Sequence, residues 1–135
     1  MLHLFGRSRD EKGQSISVLF AISVVALLAV GGLVVDGGAH ATATRKAQQA
    51  ASSAARAAVD ASAPARAAGV PIGLNEVVSA GNHALDVAGV EGTVHIEGQE
   101  ARVTTTVRVR TVLLGIVGIN HLTARGEARA SLVTP

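Results

Sequence analysis

The sequence predicts an α+β fold. An N-terminal transmembrane helix continues into an alanine-rich helix, followed by a short second helix and a three-stranded antiparallel sheet. Three observations predict it. Residues 16–35 carry no charge and are almost wholly apolar. Residues 39–63 are dominated by alanine. Beyond Gly89, apolar and polar residues alternate with period two, the signature of strands with one wet face.

The apolar run is long enough to span ~30 Å as a helix, the thickness of a bilayer's hydrocarbon core. Ser17, Ser23, Gly31 and Gly32 interrupt it, as a membrane helix tolerates. Ser17, Ala21 and Ala29 recur at multiples of four, which reads either as a helix-packing stripe or as ordinary lipid-facing composition. Asp36 marks the membrane boundary. Arg7, Arg9 and Lys12 precede the run, whereas no Lys or Arg follows before Arg45 and Lys46. That asymmetry predicts a cytoplasmic N-terminus and an extracytoplasmic C-terminal domain in the cell membrane. A cleaved secretion signal ending at Ala39-His40-Ala41 is the rival reading. Its apolar stretch is ordinarily ~7–15 residues, shorter than this one.

Residues 36–63 read as the alanine-rich helix, with Gly37 and Gly38 expected to kink or soften the join. Ala43, Ala47, Ala50, Ala54 and Ala58 form a smooth stripe that packs either on another helix or on the domain's own sheet. Pro64, Gly69, Pro71 and Gly73 mark residues 64–74 as a linker. Asn75 is the expected N-cap of the second helix, Gly81 a weak point within it and Gly89 its end. Residues 75–135 make up the exported helix and sheet, and residues 1–15 a basic cytoplasmic tail.

Val94 and Ile96 face the core from the first strand. Val103, Thr105, Val107 and Val109 do so from the second, and Leu122, Ala124, Gly126, Ala128, Ala130 and Leu132 from the third. Gly98-Gln99 suits a tight hairpin. Between the last two strands lies "VLLGIVGI", residues 112–119. Leu113, Leu114, Ile116 and Val117 of this stretch are either buried by the domain or kept for a partner or the membrane surface.

Composition narrows the functional classes. Aromatics are 1% of the chain, namely Phe5 and Phe20, so a core outside the membrane is built from Val, Ala, Leu and Ile. There is no cysteine, which excludes disulfides, thiolate metal sites and a cysteine nucleophile. The net charge is +2 with both signs interspersed, unlike a nucleic-acid groove. His3, His40, His83, His95 and His121 make no i,i+4 pair. His95-Ile96-Glu97 has the H-x-E spacing of a deaminase without its cysteine pair, and reads as a solvated strand face. "GQSIS" lacks the closing glycine of a nucleophile elbow, and no phosphate-binding glycine loop is present. Arg102, Arg108 and Arg110 share a face and are expected to pair with Glu91, Glu97, Glu100 or Glu127. No catalytic, cofactor-binding or metal-ligating set is expected, and the chain is not read as an enzyme.

"RDEKGQSISVLFAISVVALLAVGGLVVDGG" followed by "ATRKAQQAASSAARAA" resembles the Flp pilus-assembly TadE/TadG-like family, in particular its short actinobacterial-type members. "AGVEGTVHIEG" and "IVGINHLTARGEARASL" also look like strands of those proteins. The resemblance implies a pilin-like minor subunit, anchored by one span, of a tight-adherence (type IVc-like) pilus or related secretion apparatus. It implies other pilin-like subunits or assembly proteins as partners. It further implies a prepilin peptidase cutting after Gly13, so that Gln14 becomes the N-terminus. The family's motif usually carries glutamate at the fifth position after the cut, where this chain has Val18. An accessory subunit therefore fits better than a major pilin. The alternative function is a single-pass, membrane-anchored extracytoplasmic sensor or protein-binding module.

Overall fold

The computed structural model describes residues 10–133, with side chains from Ser15 onward. The elements are α1 (Asp10–Ala68), α2 (Leu74–Ala88), β1 (Glu91–Glu97), β2 (Glu100–Arg110), a 3₁₀ turn (Leu114–Val117) and β3 (His121–Ser131). The three strands form an antiparallel meander in the order β1-β2-β3. This is the α+β arrangement that the sequence predicts.

α1 has 59 residues and is ~88 Å long at 1.5 Å per residue. Its first half is exposed along the apolar run, and its second half is the main wall of the core. The helix is not interrupted at Gly37 and Gly38, where the sequence predicts a kinked or softened join. Neither glycine meets a neighbour, and α1 runs unbroken through both, so propagation from the long helix on either side outweighs the cost of two glycines. Pro64 also sits inside the helix rather than in a linker. Only one turn follows it, and that turn is tied down. Arg66 donates to the Ser62 hydroxyl at 2.9 Å and to the Leu132 carbonyl at 3.0 Å. The connection to α2 is thus residues 69–73. α2 starts at Leu74 with Gly73 as N-cap, so Asn75 lies in the first turn instead of capping it. Gly89, in the left-handed region at φ 60°, closes α2 as expected.

The alanine stripe packs on the domain's own sheet and on α2. Ala50, Ala51, Ala54 and Ala55 meet Leu85, Val90, Val94 and Val103 in one cluster, and Ala58 meets Val77, Ala101 and Leu132 in another. With no aromatic in either cluster, contact area is gained by bringing backbones together. A methyl group on Gly126 of β3 would overlap the Ala47 carbonyl of α1. One on Gly81 would sit 2.9 Å from Val94 and 3.4 Å from the Ala54 carbonyl, so this expected weak point is where α2 crosses α1.

Two polar contacts fix this close approach. The buried Thr105 hydroxyl donates to the Ala47 carbonyl at 2.8 Å. The Gln48 amide donates to the Glu127 carbonyl at 2.7 Å and accepts from the Glu127 N–H at 3.3 Å, covering part of the free edge of β3. The hairpin at Gly98-Gln99 is tight, with Glu97 opposite Glu100 and Gly98 at φ 62°.

Substitution therefore has opposite signs at two glycines. Gly126→Ala is expected to destabilise the full chain by about 1–3 kcal/mol through overpacking. Gly37→Ala, with open space around it, is expected to stabilise it by up to about 1 kcal/mol. Unfolding in detergent micelles followed by circular dichroism measures both.

Candidate functional site

The apolar run ends at Asp36, which is only 2% exposed. Its carboxylate accepts three backbone N–H groups from the far end of the chain. Oδ1 accepts from Val112 at 2.8 Å; Oδ2 accepts from Leu113 at 3.0 Å and Leu114 at 2.8 Å. These groups open the 3₁₀ turn, where N–H donors lack partners within the turn. Asp36 is a cap delivered by another element, and an ionised acceptor makes such bonds strong. The Val112 and Leu114 N–H groups hold its carboxyl below the ordinary carboxylate range. Desolvation opposes them, and the Leu113 N–H adds to them.

Gly32 lies one helical turn before Asp36, on the same face of α1. A methyl group there would overlap the Leu113 side chain, so Gly32 is the notch that receives Leu113. Notch and carboxylate together clamp the loop onto the helix. Asp36 thus both ends the apolar run and holds the loop.

The loop divides between the two fates that the sequence left open. Leu113 and Leu114 are half-buried against α1, whereas Ile116 and Val117 are exposed. Beneath the loop an apolar groove of about 570 Å³ opens along the helix. Val25, Leu28, Ala29 and Leu33 form its helix side, and Leu113, Leu114, Ile116 and Val117 its loop side. Ala29, the last member of the small-residue stripe, therefore lies under the loop. Ser17, Ala21 and Val18 are exposed on the free part of the run. Gly13 and Gln14 fall in the first turns of α1, and their side chains lie outside the described residues.

The wet face of the sheet carries the other polar cluster. Arg102 bonds Glu97 and Glu127, each at 3.0 Å, and Arg129 bonds Glu127 at 3.1 Å. The Arg129 and Arg102 guanidinium groups hold the Glu127 carboxyl below its ordinary range. Such exposed pairs add little stability and are screened by salt. The ion pairs expected at Arg108 and Arg110 do not form. In the register, Arg108 faces Thr123 and Arg110 faces His121, which leaves no carboxylate directly opposite either. Among the described residues, no cluster of histidines and carboxylates is arranged to hold a metal ion.

α1 contains the one stretch, among the described residues, that is long and apolar enough to cross a membrane. The sequence of this helix also carries the family signal. Residues 13–68 match the model of the family described as putative Flp pilus-assembly TadE/G-like. The TadE/G-like match starts at the glycine of the expected cut and ends on the last residue of α1. It includes Gly32 and Asp36, while the loop they hold lies outside it. No curated protein and no solved structure matches the chain.

Asp36→Ala removes all three acceptors. Hydrogen exchange at the Val112, Leu113 and Leu114 amides is expected to accelerate on the order of tenfold or more. Acid acts in the same direction. A carboxyl whose pKa is lowered by folding stabilises fully above its ordinary value of about 3.9, and that contribution is lost as pH falls through the lowered one. In the native chain, loop protection therefore holds at neutral pH, begins to weaken below about pH 3.9 and is lost only as pH falls through the lowered value, whereas the Asp36→Ala chain lacks that pH dependence.

Proposed function

We propose that this protein is a membrane-anchored, pilin-like accessory subunit of a tight-adherence (type IVc-like) pilus or a related secretion apparatus. The observation that carries the proposal is the coincidence of the TadE/G-like match with α1. The family description supports involvement in Flp pilus assembly. A helix whose first half is bare and whose second half is the wall of a folded domain suits that role. The bare half docks in the bilayer, and the domain is displayed outside. The Lys/Arg asymmetry around residues 16–35 supports a cytoplasmic N-terminus. Docking partners are other pilin-like subunits or assembly proteins, approached along Ser17, Ala21 and the neighbouring exposed surface.

The same geometry supports retention of the span. A cut after Ala41 would separate Gly32 and Asp36 from the domain and leave the loop N–H groups at 112–114 without their acceptor. A prepilin-type cut after Gly13 leaves the clamp intact. Val18 in place of the usual glutamate removes the carboxylate that would neutralise a neighbouring subunit's terminal ammonium inside an apolar bundle. That favours an accessory place over the filament's repeating body.

The test exchanges residues 16–31 for an unrelated leucine-rich span and keeps Gly32 and Asp36. Association with the pilus or secretion components in native membranes is expected to fall to background, while the loop amides stay protected. Undiminished association would contradict the proposal and favour a binding module acting through its exported domain. Mass spectrometry of the membrane-extracted chain reads processing in the same samples. A start at Gln14 identifies a prepilin peptidase as a partner, a start at Met1 removes it, and a start at Thr42 contradicts anchorage.

A further inference from the structure

The tip of the 112–119 loop stands outside the protein's own core. Ile116 is 78% exposed and Val117 72%, with no charged residue between Val112 and Ile119. The tip lies beside Leu28, Ala29 and Leu33, on the apolar side of Asp36. Along the helix axis that is about 5–12 Å past Asp36 toward the span.

Its backbone suits a dry setting. The three N–H groups at 112–114 go to Asp36. Those of Ile116, Gly118 and Ile119 go to carbonyls within the loop. Lipid supplies no hydrogen bonds, so an irregular segment enters its surface only with such groups already satisfied.

The adjoining end of the sheet is basic. Arg108 and Arg110 finish β2, while His121 and Arg125 lie at the start of β3, all exposed on the wet face. None of the three arginines makes an ion pair among the described residues. Glu91 lines a cleft with Arg108, and Glu127, already paired with Arg102 and Arg129, lies two residues from Arg125 on the same face. An uncharged apolar tip under a collar of free arginines has the composition of an interfacial membrane anchor on anionic lipid.

We infer that residues 112–119 form a second membrane contact, a foot with Ile116 and Val117 among acyl chains and Arg108, Arg110 and Arg125 on anionic headgroups. The inference rests on α1 lying in the bilayer, and goes beyond the proposed assembly role. Two contacts fix what one helix leaves free. The clamp at Gly32 and Asp36 ties the foot to α1, so seating the foot sets the rotation of the exported domain about the helix axis.

The chain has no native cysteine, so single cysteines report position. The full chain is reconstituted in phosphatidylcholine vesicles, with and without phosphatidylglycerol, and contains nitroxide-labelled lipid as quencher. A fluorophore is placed by Ile116→Cys, by Thr104→Cys on the wet face, or by Val24→Cys in the span. Quenching at positions 24 and 116, and none at 104, is expected. Arg108→Gln, Arg110→Gln and Arg125→Gln are expected to weaken seating at 116 in anionic vesicles by roughly fivefold per arginine, with no change in neutral ones. Quenching at 24 without quenching at 116 overturns the foot and leaves the anchored reading standing. No quenching at 24 overturns both. Shielding of position 116 only in native membranes that contain other assembly proteins overturns the lipid assignment in favour of a protein partner. Equal seating of the arginine variants in both lipids overturns the headgroup contacts.

Discussion

At Ala47 the backbone of α1 lies against the backbone of β3 at Gly126, and the Thr105 hydroxyl bonds the Ala47 carbonyl from β2. This contact sets the distance between helix and sheet. The core has no aromatic side chain to span a wider gap, so every layer is placed by small residues that allow close approach. Gly81 does the same between α2 and α1. The stripe that looks suited to a partner helix is consumed by the domain itself. What remains free on α1 is its first half, exposed along the apolar run. The domain thus takes up one half of the helix and leaves the other bare, with the division at Gly32 and Asp36.

That division is enforced by charge. A carboxylate beside an apolar run is costly to desolvate unless its lone pairs are filled. Asp36 meets this condition with three N–H groups from a loop more than seventy residues later in the chain. The loop's donors are satisfied by the same bonds. Each side satisfies the other's polar groups, which lets an uncharged loop lie against the apolar run instead of collapsing into the domain. Closure of so long a segment is entropically costly. The α1–sheet packing has already met most of that cost by holding β2 and β3 beside the helix.

Much of the fold was legible because it depends on short-range pattern. β2 and β3 alternate strictly since one face is wet, and the Gly98 turn sets the register of the first hairpin. Alanine at helical spacing read correctly as a helix with a packing face. At Pro64 a tertiary tie outweighs local propensity, and Asn75 falls inside α2 because Gly73 takes the cap position. Arg66 holds the turn beyond the proline, and α2 begins one residue before the expected cap. The site was half legible. Asp36 stood out as the acid ending the run, and residues 112–119 stood out as too apolar for a free loop. Their union was hidden, since nothing in a local pattern connects positions so far apart. Gly32 looked like a tolerated interruption because its purpose is the side chain of Leu113.

The apolar run and the folded domain are one body, joined by an unbroken helix through Gly37 and Gly38. Spin labels at Ser23→Cys and Arg45→Cys, in the full chain in lipid nanodiscs, test it by electron–electron distance measurement. A continuous helix places these positions about 33 Å apart, with a single narrow distribution. A broad or markedly shorter distribution would mean that the glycines are a hinge, and that the domain moves independently of its anchor.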